Sequence, residues 1–262
     1  MKNKRLAIFL GILIFFAVIV VLSSTVFSLK SVELNFVEEA PALENSKAEI
    51  IDSGEFRYNE SIFFVNKKAY ISKIEKANPY IHVVNIETKF PNKLIIHAAQ
   101  RQECYVLKLS TNKYAVTDED MKVLNILDVY QNSNTNPIEI KNSGLAEQSV
   151  SAGDFFEVDD DYLTQIFKSF REWELSYSVL KQKIASIELN YEKPDKLLVN
   201  MHSGVQILIE NSKVQISDKL NLAFSFYDTK KDKNGNDVDY TQGGIILITE
   251  TDQKIYGLYK PV

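Results

Sequence analysis

The hydrophobic pattern starts with an uncharged run of 22 residues, Leu6 to Phe27. As a helix rising ~1.5 Å per residue, the run would be about 33 Å long, enough for the ~30 Å hydrocarbon core of a bilayer. Lys2, Lys4 and Arg5 precede it, and basic residues favour the cytoplasmic side. The pattern therefore predicts a cytoplasmic tip at residues 1–5, a transmembrane helix at residues 6–27, and extracytoplasmic domains after it. This would be a single-pass type II protein of the cell membrane.

A cleaved signal peptide is the alternative interpretation of this segment. The apolar region of a signal peptide is typically ~7–15 residues long and ends at an A-x-A-like site. Here 17 apolar or small residues run from Leu6 to Leu22, and no A-x-A pattern follows them. These features favour a retained anchor over a cleaved leader.

Residues 28–101 show five element patterns that predict a small β-α-α-β-β domain. A polar–apolar alternation and two further strand-like runs flank two helix patterns that follow capping residues. In order these are the strand 31–36, the helices after Ser46 and Asn66, and the strands 81–89 and 94–99. Phe90 and Pro91 lie between the last two strands and predict a tight turn.

Residues 102–260 contain mainly short strand patterns separated by turn residues, with two amphipathic helix patterns. One helix follows residue 161 and the other follows Ser217. The last two strand patterns are at Val238–Thr249 and Lys254–Tyr259. The fold class predicted for the whole chain is α+β: the anchor, the small domain, and a mostly antiparallel sheet with helices packed on one side.

The composition narrows the function. The net charge is −5, which argues against a nucleic-acid-binding surface. The chain has one cysteine, Cys104, so no intramolecular disulfide can form. The sequence lacks the motifs of nucleophilic hydrolases, zinc proteases and P-loop proteins, and its three histidines lie far apart in strand patterns. We therefore expect no enzyme activity, cofactor, metal site or small-molecule substrate.

Three motifs between residues 60 and 101 resemble a POTRA domain. They are the entry to the second helix, Ser61–Asn66; its stop, Asn78–Ile81; and the turn motif Thr88–Ile96, which contains Phe90 and Pro91. The preceding apolar run and the strand-rich region behind it make the layout similar to that of the FtsQ/DivIB bacterial cell-division family. The sequence departs from the family pattern at Lys89, Gln100, Glu103, Met121 and Thr241.

The resemblance implies a non-enzymatic scaffold of the bacterial divisome. Such a scaffold binds FtsL-like and FtsB/DivIC-like membrane proteins outside the membrane and links division-ring assembly to septal peptidoglycan synthesis. It implies that the POTRA domain, residues 28–101, helps recruitment and that the second domain, residues 102–260, holds the partners. The alternative is another extracytoplasmic POTRA-bearing component of envelope assembly or transport.

The partner site is predicted at the strand pattern that follows Asp237. Gly235–Tyr240 resembles the family's entry to a late strand. Glycines in a strand permit close backbone approach, and an exposed sheet edge can accept an added strand. The expected partner-binding residues are Val238, Tyr240, Thr241, Gly243, Gly244, Ile245 and Leu247, with Tyr240 as the aromatic anchor. The alternative is that the apolar run at residues 245–248 is a buried central strand.

Overall fold

The computed structural model describes residues 2–41, 43–158, 161–231, 235, 237–240, 243–251 and 254–261. The chain divides into two compact units, residues 1–101 and residues 102–262. Both contain helices and strands, so the chain is an α+β protein with a POTRA-like domain and a large sheet.

The first unit begins with helix α1 (Lys2–Thr25). Among the described residues, no helix combines the length and the apolar character needed to cross a membrane. The prediction of a transmembrane helix at residues 6–27 is therefore wrong.

The remainder of the first unit follows the predicted β-α-α-β-β order. Its elements are β1 (Ser31–Phe36), a 3₁₀ turn (Glu44–Ser46), α2 (Lys47–Ser53), α3 (Lys67–Ala77), β2 (Ile81–Lys89) and β3 (Lys93–Gln100). The sheet order is β1-β3-β2, with β1 parallel and β2 antiparallel to β3. The predicted adjacent antiparallel strands β2 and β3 are thus confirmed. Phe90 and Pro91 lie in the turn between them and share a cis peptide bond.

Capping residues and apolar spacing explain the local structure of this unit. The Asn66 side chain accepts a hydrogen bond from the Ala69 N–H and caps α3. Tyr70 and Ile74 lie four residues apart on α3 and are buried against the sheet. The same core includes Ile50 of α2 and Leu34 of β1. The core of the second unit is a separate cluster.

Among its described residues, the second unit contains nine strands, three helices and a 3₁₀ turn. In chain order these are β4 (Tyr105–Lys108), β5 (Tyr114–Thr117), β6 (Val123–Leu127), β7 (Ile138–Lys141), the 3₁₀ turn (Leu145–Glu147), α4 (Asp161–Trp173), α5 (Tyr177–Lys183), β8 (Ile184–Leu189), β9 (Leu197–Met201), β10 (Val205–Ile209), α6 (Ile216–Thr229), β11 (Gly244–Thr251) and β12 (Lys254–Lys260). They form one nine-stranded sheet in the order β12-β11-β10-β9-β8-β7-β4-β5-β6. The outer strands of this sheet are therefore β12 and β6.

Helix α6 packs on the β12 end of the sheet, where it contacts β10, β11 and β12. Its Lys219 is fully buried, because the ammonium group donates hydrogen bonds to the Glu210 and Asn211 carbonyls and lies 3.0 Å from the Glu250 carboxylate. A buried charge is tolerated when it is paired and hydrogen-bonded in this way. The pair joins α6 to β11 and to the end of β10, and so it fixes the strand next to β12.

Candidate partner-binding surface

Strand β11 is not an edge. It pairs with β10 in parallel, with Leu208 opposite Leu247, and with β12 antiparallel, with Leu258 opposite Leu247. The prediction that the stretch after Asp237 is an exposed sheet edge is therefore wrong. The strand is also shorter at its start than predicted, because pairing begins at Gly244 and not at Val238.

Tyr240 supports the sheet from the inside. Its side chain is 5% exposed, and its ring lies 5.5 Å from the Tyr227 ring and 5.4 Å from the Tyr259 ring. Its hydroxyl donates a 2.9 Å hydrogen bond to the Phe226 carbonyl. Burial, and then the neighbouring Tyr259 and Tyr227, raise the pKa of Tyr240 to about 12. A ring held in this way cannot anchor a partner on the surface.

The chain itself occupies the space left by Gly243 and Gly244. A Cβ on Gly244 would lie 2.4 Å from the Tyr259 ring, and one on Gly243 would lie 3.1 Å from the Gly204 carbonyl oxygen. Both glycines have positive φ, +73° and +143°, a region that costs other residues strain. The two glycines were predicted to let a partner backbone come close. In the structure the space beside them is filled by Gly204 and Tyr259 of the same unit.

The remaining predicted residues are divided between the two faces. Val238 is half-buried against the core, and its N–H donates to the Lys230 carbonyl at 2.7 Å. Ile245 and Leu247 are half-buried and alternate along β11 with fully buried Ile246 and Ile248, so they point to the opposite, outer face. Thr241 lies outside the described residues.

A row of leucines crosses the outer face. Each leucine lies opposite the next in the register of β9, β10, β11 and β12: Leu198, Leu208, Leu247 and Leu258. Side chains opposite one another on a sheet face are close enough to touch. Leu247 therefore continues an apolar row that ends on the outer strand β12.

Strand β12 is the edge that the sequence reasoning missed. Its residues alternate: Ile255 and Tyr259 pack against the core, whereas Lys254, Tyr256 and Lys260 are exposed. Gly257 lies over Phe226 of α6, whose ring is 2.5 Å from the position of an added Cβ. The strand was predicted, but its place in the sheet was not. Lysines are typical of edge strands, so Lys254 and Lys260 in the sequence could have indicated that this strand is an edge.

The other outer strand, β6, is partly covered by the chain. The Val123 N–H donates to the Asp154 carbonyl and the Val123 carbonyl accepts from Gly153 N–H, each at 2.8 Å. The Phe156 N–H donates to the Met121 carbonyl at 3.0 Å just before β6. Residues 153–156 thus occupy part of the outer side of β6. In the described part of the chain, β12 pairs with β11 alone.

The described residues contain no group of three or more His, Cys, Asp or Glu side chains that could hold a metal ion. Cys104 is buried, and burial raises the pKa of its thiol well above the ordinary value. The arrangement at β12 instead provides unpaired backbone groups, an exposed tyrosine and two lysines.

Comparison with known proteins finds one matching domain family and several similar proteins. Residues 44–98 match the family "POTRA domain, FtsQ-type". The cell division protein DivIB of Clostridium botulinum (strain Hall) is 31% identical over 119 residues, which cover 44% of each chain. That of Clostridium tetani is 27% identical over 196 residues, covering 72% of this chain and 67% of the relative. The chain thus aligns with less than half the length of the first of these relatives.

A solved structure, the major extracytoplasmic domain of the trans isomer of DivIB from Geobacillus stearothermophilus, is 15% identical. The match covers 48% of this chain and 92% of that chain with a TM-score of 0.28, so the likeness adds nothing to the assignment. The assignment rests on the POTRA match, which lies in the first unit, and on the clostridial relatives. On these grounds residues 44–98 form a POTRA domain of the FtsQ type, and the chain is similar to the DivIB proteins of bacterial cell division.

Proposed function

We propose that this protein is a non-enzymatic scaffold of the divisome that holds an FtsL-like or FtsB/DivIC-like partner as an added strand on β12. The observation that carries the proposal is that β12 ends the nine-stranded sheet. In an antiparallel pair every second residue turns its N–H and C=O away from its neighbour. On β12 those groups face away from β11 and are available to an extended segment of another protein.

The exposed side chains of β12 give such a partner specificity. Tyr256 is 50% exposed and shares the outer face with Leu258 and the leucine row. Aromatic residues next to an apolar surface are frequent anchors of interfaces. Lys254 and Lys260 lie at the two ends of the strand and are exposed, so an acidic partner segment would be favoured.

The experiment is a titration of the full-length chain with synthetic segments of the DivIC-like and FtsL-like proteins of the same cell. Tyr256→Ala should weaken binding by about 2 kcal/mol, or ~30-fold. The matched control is Tyr58→Ala, because Tyr58 is 51% exposed but lies in the first unit. Hydrogen exchange should show that amides of β12 gain protection when the partner binds.

Equal affinities of the wild type and a folded Tyr256→Ala variant, together with unchanged exchange at β12, would reject the edge as the site. In cells we propose that the protein acts outside the cytoplasm at the division site and links ring assembly to septal peptidoglycan synthesis. A Tyr256→Ala strain should then form septa with less of the partner protein. Normal partner recruitment in that strain would contradict the scaffold role of β12.

A further inference from the structure

The first unit carries an aromatic patch that its own fold does not bury. Its centre is the three rings of Phe27, Phe63 and Phe90, and the exposed residues next to them in the chain, Val26 and Phe64, are counted with it. The Phe27 ring lies 5.2 Å from the Phe63 ring and 6.3 Å from the Phe90 ring, and the last two are 5.5 Å apart. Phe27 is half-buried against the core, whereas the other members are exposed, with Phe64 at 86%.

The patch is built from three segments that the backbone holds together. The Ile62 N–H donates to the Phe27 carbonyl at 2.8 Å, and the Leu29 N–H donates to the Glu60 carbonyl at 2.8 Å. The Lys30 N–H donates to the Asn92 carbonyl in the β2–β3 turn, also at 2.8 Å. Because each segment is fixed, the exposed rings are a stable feature of the surface. Clustered exposed apolar groups of this kind mark interaction sites.

Lysines are frequent next to the patch along the chain. Within five positions of its members along the chain there are five lysines, Lys30, Lys67, Lys68, Lys89 and Lys93, and two glutamates, Glu60 and Glu87. Glu60 accepts a hydrogen bond from the Tyr70 hydroxyl, Glu87 lies 3.1 Å from His97, and Lys93 is paired with Glu33, so the lysines still outnumber the glutamates. The unit therefore combines exposed aromatic rings with a basic rim, although the whole chain is acidic.

The patch is also continuous in sequence with apolar surface on α1. Helix α1 ends at Thr25, and the patch begins at the next residue, Val26. The described apolar side chains of α1, from Phe9 to Val21, are exposed. A partner protein would need a large apolar face to cover both the aromatic patch and α1. A lipid surface is large enough to cover both.

We propose that the aromatic patch docks on the headgroup region of an anionic lipid surface. Phenylalanine rings would enter the boundary between headgroups and acyl chains, and the lysines would contact anionic headgroups. Docking would orient the POTRA-like unit on the surface. The proposal does not depend on partner binding at β12, because the patch lies wholly in the first unit.

The experiment uses the full-length chain with one polarity-sensitive label. Cys104 is buried, so a thiol reagent would react at an introduced cysteine. Phe64→Cys places the label in the patch, and Val37→Cys places it on an exposed residue just after β1. Ser31, at the start of β1, is paired with Lys93, which follows the turn that contains Phe90. Val37 lies six residues further along the chain, about 20 Å from Ser31 at ~3.3 Å per residue.

With vesicles of phosphatidylcholine and phosphatidylglycerol, the label at residue 64 should shift to shorter emission wavelength and be quenched by brominated lipid, while the label at residue 37 should change little. Equal responses at both positions would mean that the unit is only held nearby, and they would overturn the proposal. No response at residue 64 would also overturn it and would leave a protein as the occupant of the patch.

The charge requirement has its own test. Replacing Lys67, Lys68 and Lys89 by glutamine should reduce partition to the anionic vesicles by about five-fold per lysine, and the loss should disappear at high salt. The control changes three lysines of the second unit to glutamine: the exposed Lys113 and Lys168 and the half-buried Lys141. The same partition for both triple variants would contradict the role of the basic rim.

Discussion

The two outer strands of the nine-stranded sheet differ in how the chain treats their free sides. At β6 the segment 153–156 supplies backbone hydrogen bonds to the region of Val123. At β12 the free side has no such cover among the described residues, and it carries Lys254, Tyr256 and Lys260. Proteins protect edges with covering loops or with charged side chains. This protein uses a covering loop at one edge and lysines at the other, and no described residue covers the free side of β12.

The side chains packed against the two outer strands also differ. Under β12 the rings of Tyr259, Tyr240, Tyr227, Trp173 and Phe224 form a continuous series of contacts between the sheet and the helices. Under the cover of β6, Lys122 is buried with its ammonium group 4.6 Å from the Phe155 ring. If β12 accepts a partner strand as proposed, a base that is already packed in this way would reduce the entropic cost of adding the strand.

The largest expected effect comes from removing the base of β12. Tyr240→Ala should destabilise the second unit by about 3–5 kcal/mol, as for other buried aromatic residues, because it leaves a cavity between Tyr227 and Tyr259. Hydrogen exchange should show early opening of β12 and β11. Tyr256→Ala serves as the control and should leave exchange near that of the wild type. A Tyr240→Ala variant as stable as the control would contradict the supporting role.

A smaller loss is expected from Gly244→Ala. The added Cβ would overlap the Tyr259 ring and would also be held at positive φ. Overpacking and backbone strain together should destabilise the unit by about 3 kcal/mol. Gly144→Ala separates the two causes, because Gly144 has φ +77° but no atom within 4 Å of an added Cβ. Denaturant unfolding should show a loss of about 1 kcal/mol for that control. Equal losses would exclude the ring contact as a cause.

Opening the covered edge should have an intermediate effect. Gly153→Pro removes the N–H that donates to the Val123 carbonyl and cannot adopt the observed φ of +92°. The cover should detach at a cost of about 2 kcal/mol, the value of two backbone hydrogen bonds. Sedimentation should show concentration-dependent self-association through β6. Gly153→Ala keeps the N–H and should remain closer to the wild type. A monomeric Gly153→Pro protein with β6 still protected from exchange would contradict the covering role.

The smallest effect at neutral pH is expected from Tyr240→Phe, which loses one hydrogen bond worth about 1 kcal/mol. The effect that distinguishes this variant is the change of its stability at alkaline pH. The pKa of Tyr240 is about 12 against an ordinary value of 10.0, so the fold keeps the phenol neutral. The stability linked to that neutral form is present below pH 10.0 and is lost as the pH rises towards about 12. Tyr240→Phe should therefore lose less stability between these pH values than the wild type. Parallel curves would contradict the burial of the hydroxyl.

Local signals predicted the first unit well. The capping Asn66, the Asn78-Pro79 stop and the Phe90-Pro91 turn lie next to the elements they bound, so short-range chemistry placed α3, β2 and β3. The apolar run at residues 6–27 was interpreted as a span from its length, its lack of charge and the basic residues before it, but no described helix meets the requirements of a membrane span. The motifs in this unit also indicated the resemblance to FtsQ/DivIB proteins, and residues 44–98 match the FtsQ-type POTRA domain.

Sheet order in the second unit could not be predicted from the sequence. The alternation at residues 244–248 is the same for a central strand and for an edge strand, because period-two burial reports the faces of a strand and not its sides. The sequence by itself determined that two late strands, Gly243 and Gly244, and an aromatic Tyr240 would lie together. Only the tertiary structure decided that β12 covers β11, that Tyr259 occupies the space above Gly244, and that Tyr240 faces inwards. Those choices depend on pairings between strands and on contacts with α6, which arise from packing over the whole unit.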